Sequence, residues 1–497
     1  MKHKFSSLGR FAVLLGFILL FSAAESLFAM QASQRDSKKT LQKNLSGKND
    51  RNIMIGYLWG STNIGDAAIA PGLLELLGKN LPKYSTSALC YSFKDPQKDD
   101  KLAWQINRLY PDCNVINGDA FKAAHAFALE RLKAGHGGIL PEKERLDTDY
   151  IFDTFAADCI DYIRENDSDV YREFSRTDLF IYNSGCVLAY GPGTLGGTDF
   201  WDYCLYRSLP LLLARKLGVP YGIYSHTFDD FIGEPGYTYF KNLLEDAEFV
   251  FCRDSDSLRY LLSAGIRAKN LSFVPDSTFS SPWKDPEWAV DFMNENSLED
   301  NEFMAVVIFT RQPTSNSGRP IVSQQRVDEH MRKVREIIRH WVKTTGMKVV
   351  LCPEVLREMQ PAKELIYDKL DPETKSKTVR MDTFWTHDQA KSLFASARLV
   401  VSMELHSLLL ALPESTPVIH IPFKEAGRKS FFIADAGLGE YLLDIDGAGL
   451  DAMLDKVSYI NGNYETERQR IKNTIIPYCR EREKAAFEII KNILRGE

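Results

Sequence analysis

The chain has 497 residues, 44% hydrophobic and 26% charged, with a formal net charge of -6 at pH 7. That length calls for two domains and a sizeable core, and the composition excludes a disordered or multi-spanning chain. The acidic balance excludes nucleic acid as the principal partner, because proteins that grip phosphate backbones carry a basic surplus.

At the N-terminus, Lys2, Lys4 and Arg10 precede an uncharged apolar run from Phe11 to Ala24. This is the basic head and short apolar core of a secretory signal, with Ser22 and Ala24 small enough for a cleavage site. The run is shorter than the roughly 20 residues that span a bilayer. With the weakly polar continuation to Met30, residues 1–30 read either as a cleaved signal peptide or as an uncleaved signal anchor. By either route the chain is expected to be exported, to a periplasm, the extracellular space or a secretory-pathway lumen, or to be tethered to a membrane by this segment. Residues 31–51 are polar and lysine-rich and read as a linker with no core to join.

From Asn52 onward β-rich runs alternate with helical stretches, the pattern of parallel sheets with crossover helices. Strands are expected in NIMIGYLW at Asn52, YSTSALCYS at Tyr84, DLFIYNSG at Asp178, VPYGIYSHT at Val219, EFVFCRD at Glu248 and LSFVPDS at Leu271. Helices are expected at Phe200–Leu217, closed by Gly218, and at Asp256–Ala264, closed by Gly265. These elements make a first domain over residues 52–285, with a charged, helix-like stretch at about residues 119–177 that reads as an insertion. A boundary at Ser280–Asn301 leads into a second αβ series over residues 300–460. Its strands are MAVVIFTR at Met304, MKVVLCPE at Met347, KTVRMD at Lys377, RLVVSME at Arg398 and TPVIHIPF at Thr416, with a helix at Val327–Thr345. Residues 461–497 read as a long amphipathic helix packing back on the body. The fold class is therefore α/β, with two doubly wound Rossmann-like domains. The eight cysteines form no CxxC pair, which removes zinc-ribbon and thioredoxin-type readings. Several sit in strand-like runs as small buried thiols, and the disulfide pattern stays open.

In open α/β sheets ligands gather at the carboxyl ends of strands, so five strand ends carry the candidate site. After the first strand, Asn63, Gly65 and Asp66 precede a helix expected to start near Asp66. Exposed amides there could hold a carboxylate or phosphate, or Asp66 could simply cap the helix. The loop from Gly185 to Gly197 is glycine-rich enough to hug a ligand, although a flexible surface loop has the same composition. Arg253, four residues before Ser257, can grip an anion with two parallel hydrogen bonds, or pair at the surface with Asp254 or Asp256. Pro275 and Asp276 end another strand, as part of a site or as a turn. The sharpest position is Glu404-Leu405-His406. A histidine entering a helix from a strand can serve as general acid or orient an anion, with Glu404 close enough to influence its charge. Lys424, Arg428 and Lys429 follow the next strand and could add positive charge.

Taken in order, these residues resemble the polysaccharide pyruvyl transferase family over about residues 52–438, leaving out the insertion. Asn63, Gly65 and Asp66 match its Asn-x-Gly-Asp turn, and Arg253 with Ser257 its Arg-x-x-x-Ser helix start. Pro275 and Asp276 match its Pro-Asp strand end; His406, Pro417, Val418 and Ile419 match its late histidine and Pro-Val-Ile strand. The family's Arg-x-His reads here Glu404-Leu405-His406, its glycine triplet reads Asn183-Ser184-Gly185, and Lys429 is the best match to its late lysine.

The resemblance implies a GT-B-like pair of domains facing a cleft. It also implies a transferase that moves the pyruvyl unit of phosphoenolpyruvate, as a ketal, onto sugar hydroxyls of a cell-surface or secreted glycan. Arg253 and Lys429 would hold the donor's carboxylate and phosphate, and His406 would protonate the enol carbon or assist phosphate departure. Asn63, Gly65, Asp66, Gly185, Ser257, Asp276 and Glu404 would complete the substrate site. The implied partners are a small anionic donor and a glycan acceptor, with no metal and no cofactor beyond the donor substrate; oligomeric state has no signal. Two other readings fit the same residues: a GT-B-like glycosyltransferase using a nucleotide sugar, and a non-catalytic glycan-binding protein, which Glu404 favours.

Overall fold

Strands buried on both faces are largely apolar, and the runs at Asn52, Glu248, Met304 and Arg398 supply such strands to two separate sheets. A computed structural model describes residues 51–91, 96–142, 147–191, 200–310 and 322–496. The expected signal segment and Gly193, Gly196 and Gly197 of the glycine-rich loop lie outside the described residues. Among the described residues no helix is long and apolar enough to cross a membrane.

The first sheet contains β1 (Asn52–Leu58), β2 (Ser85–Cys90), β3 (Cys113–Ile116), β4 (Leu179–Tyr182), β5 (Tyr221–His226), β6 (Phe249–Cys252) and β7 (Leu271–Phe273). Their order is β3-β2-β1-β4-β5-β6-β7. The second contains β8 (Phe303–Val307), β9 (Lys348–Cys352), β10 (Thr378–Arg380), β11 (Leu399–Ser402) and β12 (Val418–His420), ordered β10-β9-β8-β11-β12. Registered neighbours such as β1 with β4 and β8 with β11 run parallel. In both sheets the strand order reverses beside the first strand, and at such a switch point the loops part to leave a crevice.

The sequence pattern missed β3, a four-residue edge strand with one exposed and one half-buried position, too short and too wet for an apolar run. The stretch read as an insertion carries the chain from β3 at the edge back to β4. Its helices Asp119–Gly135 and Ala156–Asn166 bury Phe121, Ala128, Cys159 and Ile163 in the first domain's core. Gly218, at φ 69°, closes the Tyr206–Leu217 helix in the left-handed region, where a side chain is strained.

The helix Ile64–Asn80 belongs to the first domain by sequence, yet Ile64 and Ala68 pack into the second domain's core. The Ile64 amide donates to the Glu354 carbonyl at 2.9 Å and the Leu356 amide to the Thr62 carbonyl at 2.9 Å. These two bonds lace the end of β9 to the end of β1. At the other end of the chain, the helix Ile476–Arg495 returns to the first domain, where Phe487 packs against Tyr224 of β5 at 6.0 Å between ring centroids. Asn52–Pro82 and Thr86–Glu497 thereby form one unit. Within the short remainder, the Arg51 Nη1 donates to the Tyr84 hydroxyl at 3.0 Å.

Candidate active site

The carboxyl ends of β1, β4, β6, β9 and β11 converge on one cavity of about 380 Å³, whose walls include Asn63, Asp66, Gly185, Arg253, Glu404, His406 and Lys429. Seven of the ten positions singled out in the sequence therefore line one space. Asp276 stands directly behind Arg253, and Gly65 lies against His406. Ser257 is the exception: its Oγ accepts from the Phe228 amide at 2.9 Å and it shapes the 228 loop instead of the cavity.

His406 forms the floor. It is buried, with Nε2 3.7 Å from Asp276 Oδ2 and Nδ1 3.4 Å from Glu354 Oε1. Burial by itself lowers a histidine pKa, but two flanking carboxylates outweigh it and raise His406 to about 10. The ring is an imidazolium at neutral pH. Reciprocally, burial would raise both carboxyls, but His406 with Arg253 holds Asp276 far below its ordinary value, and His406 holds Glu354 down.

Each partner is itself held. Asp276 accepts from Arg253 Nη1 at 2.8 Å and Ser184 Oγ at 2.9 Å through Oδ2, and from the Thr278 amide at 2.8 Å through Oδ1. It is thus both a turn residue and a counter-ion. Glu354 Oε2 accepts from the Ser407 amide at 2.8 Å and hydroxyl at 2.7 Å, leaving Oε1 to face the imidazole. Sequence reading passed over Glu354, although Pro353-Glu354 ends β9 as Pro275-Asp276 ends the run through β7. The same strand-end rule would have found it.

Arg253 is 1% exposed, so the surface pairing with Asp254 or Asp256 does not occur. Its Nε donates to Thr227 Oγ1 at 2.9 Å and its Nη1 to Asp276, while Nη2 is buried without a hydrogen-bond partner. A buried donor left unmatched beside a cavity is a ready contact for a ligand oxygen. Asp254 instead caps the Ser255–Ser263 helix through the Ser257 amide at 2.7 Å.

Two further expectations change. The first helix starts at Ile64, not near Asp66, because Asn63 is its cap: Asn63 Oδ1 accepts from the amides of Gly65 at 2.8 Å and Asp66 at 3.3 Å. Those amides are therefore committed to Asn63 rather than offered to an anion. Of the three late cations only Lys429 lines the cavity. Arg428 is turned to Asp230 at 2.7 Å and Asp256 at 2.9 Å, clamping the two domains, and Lys424 is exposed.

Lys429 Nζ lies 2.5 Å from Glu404 Oε2. Burial would lower the lysine, but Glu404 raises it. The carboxylate that replaces the expected arginine thus occupies the nearest cation. His226, buried at the end of β5, is pushed down to about 3 by burial and by Arg253. Neutral, its Nε2 accepts from the Val187 amide at 3.1 Å and the Leu188 amide at 3.3 Å, which shapes the Gly185–Val187 wall. The eight cysteines are free thiols, and Cys186 on this wall is the least buried of them. Among the described residues no group of three or more His, Cys, Asp or Glu side chains is placed to hold a metal ion.

The model of the polysaccharide pyruvyl transferase family matches residues 63–424. No curated protein matches the chain. The structure of Anabaena Alr3699/HepE in complex with UDP and glucose is similar with TM-score 0.50 and 10% identity, covering 90% of this chain and 100% of that one. A UDP-N-acetylglucosamine 2-epimerase is similar with TM-score 0.50 and 12% identity, covering 90% of this chain and 96% of that one. At such identities the likeness is one of fold, the GT-B-like pairing of two Rossmann-like domains.

Proposed function

The chain belongs to the polysaccharide pyruvyl transferase family, and from that membership we propose that it transfers the pyruvyl unit of phosphoenolpyruvate, as a ketal, onto sugar hydroxyls of a cell-surface or secreted glycan. The observation that carries this reading is the buried imidazolium of His406 between Asp276 and Glu354, beside the unmatched Nη2 of Arg253. An acid that keeps its proton at neutral pH and a buried guanidinium are what addition to an enol phosphate requires.

In this reading His406 gives its proton to the methylene carbon, and positive charge develops on the neighbouring carbon. An acceptor hydroxyl oxygen bonds to that carbon and its proton returns to the imidazole. A second hydroxyl then displaces phosphate, which leaves with the bridging electron pair and the second hydroxyl proton. The product is a pyruvate ketal. Arg253 steadies the negative donor throughout, and no cofactor beyond the donor is called for. Export or membrane tethering through residues 1–30 is part of the proposal, since it brings the enzyme to a surface or secreted glycan.

Calorimetric titration of the purified chain with phosphoenolpyruvate tests the reading, followed by phosphate release in the presence of glycan acceptors. Saturable binding with acceptor-dependent release is expected; absence of binding overturns it. One observation supports a second reading. The Glu404–Lys429 pair neutralises a cation that an anionic donor would use, which favours a glycan-binding protein without donor chemistry. Glycan binding in the absence of phosphoenolpyruvate binding would select it.

A further inference from the structure

The wall contributed by the first domain carries a charge that the mechanism above leaves unused. Arg207, on the Tyr206–Leu217 helix, lines the same cavity as His406 and Arg253. Its guanidinium carbon lies 4.2 Å from the centroid of the Tyr91 ring, 5.1 Å from that of Tyr203 and 5.7 Å from that of Trp59. The cage is rigid. Trp59 Nε1 donates to the Ser184 carbonyl at 2.7 Å, the Tyr206 hydroxyl donates to the Tyr91 carbonyl at 2.7 Å, and the Trp59 and Tyr91 rings stand 5.8 Å apart.

Aromatic faces attract a cation and keep water off it, but they do not cancel its charge. Arg207 is withdrawn from water among Tyr203, Tyr91, Tyr182 and Tyr206, with Tyr91 within hydrogen-bond reach of it, and among the described residues no carboxylate forms an ion pair with it. The other cations of the cavity are matched: Arg253 by Asp276, His406 by Asp276 and Glu354, Lys429 by Glu404, and Arg357 by Glu358 at 3.6 Å. A guanidinium half-withdrawn from water, with no carboxylate partner among the described residues and with a planar fork of donors, regains its lost hydration best from an oxyanion that accepts two hydrogen bonds.

We propose that Arg207 is the anion-anchoring, specificity-determining residue of the cavity. It receives a carboxylate or phosphate of the bound substrate, while the Trp59 and Tyr91 rings flank the organic part. The proposal rests on the cavity being the substrate site, and it shifts the anchor away from Lys429, which Glu404 already holds.

The test is calorimetry of the whole chain with three probes, phosphoenolpyruvate, inorganic phosphate and glucuronate, for the wild type, Arg207→Gln and Arg207→Lys. The wild type is expected to bind at least one probe saturably. Arg207→Gln should weaken that binding roughly ten- to hundredfold, the worth of a charge-assisted hydrogen bond, and Arg207→Lys should recover part of it. Because the cage is packed, thermal melting accompanies each variant. Phenylglyoxal labelling of the wild type gives a readout independent of the variants' folding: Arg207 should be labelled in the free chain and protected by the bound anion. Unchanged affinity in a folded Arg207→Gln, no protection, or no binding of any probe by the wild type overturns the anchor. Binding of phosphate or glucuronate but not phosphoenolpyruvate, still dependent on Arg207, keeps the anchor and overturns the pyruvyl donor instead.

Discussion

A Cβ built on Gly65 would stand 2.2 Å from Nδ1 of His406. The first helix of one domain and the proton-carrying ring of the other meet with no room for a methyl group, so Gly65 serves as a seat for His406. In an unobstructed helix, Gly→Ala stabilises by about 0.5–1 kcal/mol. Here Gly65→Ala is expected to destabilise by about 1–3 kcal/mol, the cost of overpacking, and to displace His406 from its carboxylates. Denaturant unfolding reads the first effect, and ligand titration the second.

Glu404→Gln should release Lys429 from its ion pair while nearly preserving side-chain volume. If the cavity binds an anionic donor, affinity for phosphoenolpyruvate should rise by about tenfold, one charge-assisted hydrogen bond freed. Calorimetry decides; an unchanged or weaker affinity would mean that the Glu404–Lys429 pair is part of how the substrate is held.

The pH dependence follows from His406. Burial opposes its charge, but Asp276 and Glu354 carry the pKa from 6.5 up to about 10. A folded pKa above the unfolded one gives stabilisation that is complete below about pH 6.5 and is lost progressively as pH rises towards 10. Melting temperature should therefore fall over that window in the wild type and fall less steeply in His406→Gln. In NMR titrations the His406 ring should remain charged from pH 6 to 8, whereas His226, pushed down to about 3, should remain neutral.

Arg253→Ala is expected to abolish ligand binding and also to cost about 3–5 kcal/mol, because it leaves Asp276 buried without its guanidinium. Arg253→Lys, which keeps the charge but not the fork to Thr227 and Asp276, should recover part of the stability. Chemical denaturation ranks the three proteins. Equal stability of wild type and Arg253→Ala would mean that the Asp276 carboxyl takes up a proton or water at no cost.

Both sheets were legible in the sequence because the central buried parallel strands advertise themselves as largely apolar runs, and eleven of the twelve strands lie within the stretches expected as strands. The edge strand at Cys113 escaped for the opposite reason, since half of it faces solvent or lies at the rim. The site was legible as strand ends. Arg253, Asp276, His406 and Lys429 each follow a strand at the place where open sheets bind ligands, and the structure brings the first three within 4 Å of one another and sets Lys429 on the same cavity.

Pairing was not legible. Whether Arg253 answers to Asp256 at three residues' distance or to Asp276 across a strand depends on which side of β6 is covered. Whether Glu404 spoils the site or merely engages Lys429 depends on a loop folding back over 25 residues. Nor could local pattern reveal that Gly65 exists to admit a ring from position 406, or that Arg207, inside an unremarkable helix, faces three aromatic rings.

By itself the sequence determined the local and periodic properties: two parallel αβ series, where all strands but the edge strand β3 lie, and most of the chemical groups that stand at their ends. Those follow from side-chain burial and backbone preference within a few residues. The tertiary structure alone decided which charges meet, because Coulomb and hydrogen-bond energies depend on separations of a few ångströms between residues as far apart as Asp276 and His406. The same two carboxylates that could have been turn residues become, once folded, the reason a buried histidine keeps its proton.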